Sequence, residues 1–225
     1  MIKRLRNLLV FIVLAYIALY FVNAEIVTAI NEQILDLLRG KTEKTGTEKQ
    51  ANLLTETELN EYETYTSLSE ISKNPQKVFK INLSNQRLDA IPAEVFQCKN
   101  LQVLDLSNNQ ISQIPEQIQN LAQLQELNLS NNQLLTVPPS LDDLSFLRKL
   151  DLSNNQLGEL PEVFSNLARL EEINLAGNNQ IHLKKVLSDL GYSRNLKKLI
   201  LKMQSPEAQK EIQNLKKLLP DIVVE

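Results

Sequence analysis

The side chains able to do covalent or metal chemistry are few. The 225-residue chain has one Cys, Cys98, and one His, His182, so neither an internal disulfide nor the usual four-ligand zinc site can be assembled. No P-loop, Gly-rich dinucleotide turn, GxSxG elbow or HExxH helix is present. The nearest calcium-loop candidate begins at Asp151 and continues to Ser153, then lacks the Gly that such a loop needs. His182 has no Ser, Cys or carboxylate pattern around it that would make it a general base, and it reads as a surface loop residue. The inventory speaks against an enzyme and against any cofactor, metal or small-molecule substrate. A net charge of −3 also lacks the strongly basic footprint of a nucleic-acid binder. What remains is recognition chemistry, carried by charged and amide side chains that recur at fixed intervals.

Those intervals come from an internal repeat, which has to be sought before other fold arguments. Leu101, Leu124, Leu147 and Leu170 are spaced by 23 residues, and one more step back reaches Val78. The five copies begin VFKINLSNQRLDAIP, LQVLDLSNNQISQIP, LQELNLSNNQLLTVP, LRKLDLSNNQLGELP and LEEINLAGNNQIHL. In each, apolar residues alternate with polar ones, which is strand periodicity with one face buried. Each copy therefore predicts one short strand of a parallel sheet. Ile91-Pro92, Ile114-Pro115, Val137-Pro138 and Leu160-Pro161 then predict a rigid, non-strand return. Along that return, Val95, Ile118, Leu141 and Phe164 supply one apolar layer, and Cys98, Leu121, Leu144 and Leu167 the next. Cys98 thus occupies a leucine position, where a Cys serves as a small hydrophobe.

The pattern from Val78 to about Met203 resembles the leucine-rich repeat family, in the 23-residue class with an LxxLxLxxNxLxxIP segment. More narrowly, it resembles exported or surface leucine-rich repeat proteins of bacteria. The resemblance implies an α/β repeat solenoid, a horseshoe with a parallel concave β-sheet of about six strands, here preceded by an N-terminal apolar helix. It also implies that Asn109, Asn132, Asn155 and Asn178 form a structural ladder, each turned inward to bond backbone groups at the bend. Gln86 departs from that pattern in the first copy. Family likeness further places protein binding on the concave strip.

The outward strand positions of that strip are Phe79, Lys80 and Asn82 in the first copy, and Gln102, Val103 and Asp105 in the second. Gln125, Glu126 and Asn128 follow in the third, Arg148, Lys149 and Asp151 in the fourth, and Glu171, Glu172 and Asn174 in the fifth. The serines at 84, 107, 130 and 153 are expected to face outward as well. Read across the strands, one column runs Gln102, Gln125, Arg148, Glu171, Lys197 and the next Val103, Glu126, Lys149, Glu172, Lys198. Opposite charges are lateral neighbours, so the strip either binds a protein partner or neutralises itself. Trp is absent, and the strip offers only Phe79 and Arg148 of the kinds that favour binding hot spots.

The flanks have different compositions. Lys3, Arg4 and Arg6 precede an uncharged apolar run from Leu8 to Val22, so residues 1–24 read as a signal peptide cleaved after Ala24 or as an uncleaved membrane anchor. Apolar spacing continues over residues 25–39 as an amphipathic helix, and residues 40–66, rich in Thr, Glu and Lys, read as a disordered linker. Residues 67–77 form the N-terminal cap, opened by Ser67 and Glu70 at capping-box spacing. The repeats span 78–203. Residues 204–225 make a C-terminal cap, with a helix starting at Ser205-Pro206-Glu207 and an edge strand over Ile222–Val224. An exported chain with almost no Cys fits a cell envelope, membrane-anchored or secreted. The function expected is a non-enzymatic protein–protein interaction module on the concave face; the alternative is an adhesin or envelope-structural protein that uses its ends or convex side. No apolar repeat position lies in the first 40 residues, so their removal should abolish export or membrane partition in cell fractionation while leaving the urea unfolding transition in place.

Overall fold

Alternation of buried and outward residues sets the strands. The computed structural model describes residues 53–158, 167–181 and 195–202, with 209–210, 212–213, 216 and 223–224. The chain divides into two units, Met1–Gln50 and Ala51–Glu225, and every described residue belongs to the second. The signal or anchor segment, the 25–39 helix, residues 40–52 of the linker, Phe164, His182 and Ser205–Glu207 lie outside the described residues.

Six three-residue strands occupy equivalent places: β2 (Lys80–Asn82), β3 (Val103–Asp105), β4 (Glu126–Asn128), β5 (Lys149–Asp151), β6 (Glu172–Asn174) and β7 (Lys198–Ile200). In each, the middle residue is buried and its two neighbours are half-exposed. Two short strands extend the sheet, β1 (Thr64–Tyr65) beside β2 and β8 (Val223–Val224) beside β7. All eight are parallel and follow chain order. From β2 to β6 the register steps by one repeat, pairing Lys80 with Val103, Val103 with Glu126, Glu126 with Lys149 and Lys149 with Glu172.

Behind the sheet, leucines stack in columns. Leu101, Leu124, Leu147 and Leu170 are fully buried, as are Leu106, Leu129, Leu152 and Leu175. Each contributes roughly 2 kcal/mol by leaving water. The return runs as 3₁₀ turns at Ala93–Gln97, Glu116–Asn120 and Pro139–Asp143. Pro92, Pro115 and Pro138 hold the extended residue ahead of each. Val95, Ile118 and Leu141 bury there, and so do Cys98, Leu121, Leu144 and Leu167. Burial pushes the Cys98 thiol up to about 11, which keeps it protonated and unreactive at neutral pH.

The linker expectation is corrected over its second half. Residues 53–66 are ordered: α1 (Glu56–Glu61) is a short helix, followed directly by β1. The capping box forms here, with Thr55 accepting from the Glu58 N–H while the Glu58 carboxylate receives the Thr55 N–H at 2.7 Å. At α2 (Leu68–Ile71) the expected box is missing. Ser67 is the N-cap by backbone geometry, but its hydroxyl pairs with Ser69 Oγ at 3.3 Å and makes no capping bond.

Where the strand turns into the return, Asn85, Asn108, Asn131 and Asn154 have φ between 53° and 60°, the left-handed region that Asn tolerates. The fifth copy carries Gly177 there at φ 76°, and a Cβ on it would run into Asn154 Oδ1. The residue that follows each turn points inward. Asn132 Nδ2 donates to the carbonyls of Leu106, Leu129 and Ser130 at 3.0–3.2 Å, and its Oδ1 accepts the Ile111 N–H at 3.0 Å. Asn155 repeats the set one copy on. Asn109 and Asn178 likewise tie their own bend to the preceding one. At the first rung, Gln86 stays outside and its Nε2 donates to Thr66 O at 2.9 Å.

Ser107, Ser130 and Ser153 are buried rather than outward, each with a neighbouring repeat on both sides, whereas Ser84 of the first copy is half-exposed. Asn132→Ala would leave several buried backbone groups unpaired, and the expected loss is about 2–4 kcal/mol. Ser130→Ala keeps the backbone carbonyl that the ladder uses and should lose under about 1 kcal/mol. Urea midpoints of the two variants check the order.

Candidate concave-face site

The repeats deliver their outward residues in columns, and each column has a different chemistry. The fifth-position column consists of Asn82, Asp105, Asn128, Asp151 and Asn174, one at the end of each strand. Each Oδ1 accepts the N–H two residues ahead, at 2.8–3.1 Å, from Ser84, Ser107, Ser130, Ser153 and Ala176 respectively. These are Asx turns, which close the chain as it leaves the strand. Asp151 also accepts from Ser153 Oγ at 2.6 Å and from Asn174 Nδ2 at 3.0 Å. The column is therefore half structural, with one oxygen of each residue committed to the turn.

The second- and third-position columns are charged, and the charges meet laterally. Arg148 grips Glu171 through two contacts, Nε to Oε1 at 3.2 Å and Nη2 to Oε2 at 3.3 Å. Lys197 Nζ approaches Glu171 Oε2 at 3.2 Å. One strand position along, Lys149 pairs with Glu126 at 2.9 Å and Lys198 with Glu172 at 3.8 Å. Partly exposed pairs of this kind are worth about 0.2–1 kcal/mol each. Their effect on titration is consistent in sign: the hydrogen bond from Arg148 holds the Glu171 carboxyl below the usual carboxylate range, and that to Glu126 raises Lys149.

The first half of the strip is not open. Gln102 and Gln125 are buried, although the sequence places them outward. Residues 53–65 pass over them. The Leu54 N–H donates to Gln102 Oε1 at 2.9 Å and the Leu54 carbonyl accepts from Gln125 Nε2 at 2.8 Å. Gln125 Nε2 also donates to Gln102 Oε1 at 2.7 Å. Glu56 reaches Lys149 at 3.5 Å. Nearer the first repeat, Lys80 Nζ donates to the carbonyls of Leu59 and Tyr62, and the Tyr62 ring lies 4.6 Å from that of Phe79. Phe79, the strip's one aromatic anchor, thus packs against the chain itself. Leu54, Glu56, Leu59 and Tyr62 are site residues that the composition of residues 40–66 concealed; the Thr55 to Glu58 spacing was the signal available in the sequence.

Beyond this segment the sheet stays open. A groove of about 270 Å³ lies over β3 to β6, lined by Val103, Asp105, Glu126, Asn128, Lys149, Asp151, Glu172 and Asn174 above Leu104, Leu127 and Leu150. Its lining carries four carboxylates and one ammonium. Among the described residues no group of three His, Cys, Asp or Glu side chains could hold a metal ion, and no helix is long and apolar enough to cross a membrane.

The Arg148–Glu171 pair predicts a pH signature. Because the folded-state pKa of Glu171 lies below its unfolded value, its contribution is complete above the unfolded pKa of about 4.3 and is lost as pH falls through the folded value. Glu171→Gln should lower the urea midpoint at pH 7, and its difference from the unmodified chain should shrink toward pH 3.

Family models match across the repeats. One for the leucine rich repeat matches residues 76–134, and one for leucine rich repeats in two copies matches residues 122–163 and 145–190. A search of curated proteins finds no match. Among solved structures, TLR13 in a complex with ssRNA13 has a TM-score of 0.54 at 28% identity, over 61% of this chain and 20% of that one. The plant peptide hormone receptor RGFR1 in complex with RGF2 has a TM-score of 0.50 at 30% identity, over 64% of this chain and 23% of that one. A leucine-rich repeat protein of Leptospira interrogans, at 23% identity and a TM-score of 0.40, covers 67% of this chain and 50% of its own. The chain therefore spans half or less of the length of these three. With eight parallel strands in chain order, the repeated asparagine bends and leucine-rich repeat models matching from residue 76 to residue 190, the chain belongs to the leucine-rich repeat family.

Proposed function

We propose that the chain is a non-enzymatic protein-interaction module at the cell envelope, and that its partner lies in the groove over β3 to β6. The observation that carries this reading is the groove itself, a concave surface of outward side chains at the centre of the sheet. Four carboxylates against one ammonium repel a phosphate backbone, which supports a polypeptide over a nucleic acid. The similar plant receptor is described in complex with RGF2 and TLR13 in complex with ssRNA13, so the choice between the two classes rests on the charge of the groove. The envelope reading draws its support from Lys3, Arg4, Arg6 and the apolar run that follows them.

Val103 offers a clean test because it lines the groove without belonging to an ion pair. Val103→Arg fills that space and sets a cation beside Glu126, its neighbour on β4. The unfolding free energy should stay within about 0.5–1 kcal/mol of the original. Capture of the partner from membranes of expressing cells should fall at least about tenfold, as expected for truncating or blocking an interface centre. Asp143→Lys, on the exposed return, should capture as before. Equal capture by folded Val103→Arg would move the binding surface to the ends or the convex side.

A further inference from the structure

The grip on Leu54 takes both backbone polar groups of one residue. Gln102 accepts the N–H and Gln125 donates to the C=O of a single residue, Leu54, at 2.9 and 2.8 Å, and the two glutamines are bonded to one another. Such a clamp reads backbone rather than side chain, as strand-adding and groove-binding domains do. In the next two repeats the equivalent residues, Arg148 and Glu171, are half-exposed, whereas Gln102 and Gln125 are buried. The overlying segment accounts for that difference. Two residues past the clamped residue, Glu56 meets Lys149, so the clamp has a direction and an acidic preference.

The segment is held unevenly. At its C-terminal end Leu59 is buried, Tyr62 packs on Phe79 and β1 pairs with β2. At its N-terminal end Leu53 and Leu54 stay half-exposed, the hold comes from the Leu54 hydrogen bonds, and the Glu56–Lys149 pair is exposed on both sides. Exposed ion pairs are weak and screened by salt. The capping box that starts α1 uses only Thr55 and Glu58, so release of Leu54 and Glu56 from the strip leaves that cap intact.

We propose that Gln102, Gln125 and Lys149 form a binding site for an extended polypeptide segment bearing an acidic residue two places after the clamped one. Residues 53–58 are its resident occupant, released from the clamp at Leu54 and Glu56 when a partner segment enters. This deepens the concave-face reading and rests on it for the identity of the incoming segment, but the occupancy and the opening are properties of the chain alone.

Two measurements on the full chain test the proposal without the partner. In hydrogen exchange, the Leu54 amide should open locally, at least about tenfold faster than the Leu104 amide in the sheet. Glu56→Gln or added salt should speed Leu54 further and leave Leu104 unchanged. The second probe is a synthetic peptide of residues 51–58, its affinity read by titration calorimetry in every variant and its place by chemical-shift changes of the Gln102 and Gln125 side-chain amides where these are present. In Leu54→Pro/Glu56→Lys, which loses the clamped N–H and the acid, the peptide should bind at least about tenfold more tightly than in the unmodified chain, where its own segment competes. Adding Gln102→Ala and Gln125→Ala should abolish that binding. Unchanged Leu104 exchange certifies the fold of each variant, and Glu56→Lys alone, with a smaller gain, serves if the proline variant fails to fold.

Exchange of Leu54 only through global unfolding, or no peptide binding to the opened variants, would overturn the proposal. So would a concentration-dependent dimer in which the segment of a second copy fills the clamp. Failure of the Val103→Arg test with success here would leave the clamp standing and remove the groove alone.

Discussion

Every repeat has to bend sharply out of its strand and bury the bend, and the backbone groups there cannot all reach water or a ladder partner. The inward asparagine amide resolves this. Its Nδ2 serves carbonyls of two successive bends and its Oδ1 an N–H of the preceding return, as Asn132 does for Leu106, Leu129 and Ile111. One side chain therefore both satisfies a turn and ties it to its neighbour. The strands can be three residues long because the bends, rather than long ladders, hold the copies in register. A left-handed residue precedes each inward amide, which explains Asn at 108, 131 and 154 and Gly at 177.

Short strands leave few outward positions, and their uses are divided. The fifth-position acids and amides spend one oxygen on the Asx turn, and the charged columns neutralise one another across neighbouring strands. Self-pairing and recognition are compatible here. An Arg148–Glu171 pair that is partly exposed contributes little to stability, and it also keeps two long side chains ordered at the rim of a groove.

The solenoid was legible because its signal is repeated. The 23-residue phase, the strand alternation and the inward Asn recur in several copies, and each copy checks the others. The N-terminal segment has no second copy. Its Thr- and Glu-rich composition reads as solvated, and its order comes from contacts with residues far along the chain, such as Leu54 with Gln125 and Glu56 with Lys149. Local spacing also misled at Ser67, where the capping sequence is present but the hydroxyl turns to Ser69. The same spacing at Thr55 does form the box. The difference lies in what else each hydroxyl can reach, which a pattern of four residues does not contain. Gln86 shows the reverse case: its departure from the ladder marks the place where the first repeat reaches back to Thr66.

A repeat array is stable in proportion to its neighbour contacts, and its end is where those contacts run out. At the N-terminal end the sheet is closed by β1, and the chain leading into β1 doubles back over the face that the repeats expose. Leu59 is the one buried apolar residue among residues 53–63, and the Tyr62 ring that packs on Phe79 stays exposed, so the local stability of that segment lies below that of the leucine columns. The free area of the concave face is consequently not fixed by the repeats. It follows from the balance between Gln102, Gln125 and Lys149 bonding residues 53–58 and the same groups bonding water or another chain, a balance of polar contacts in which small differences in free energy change which side prevails.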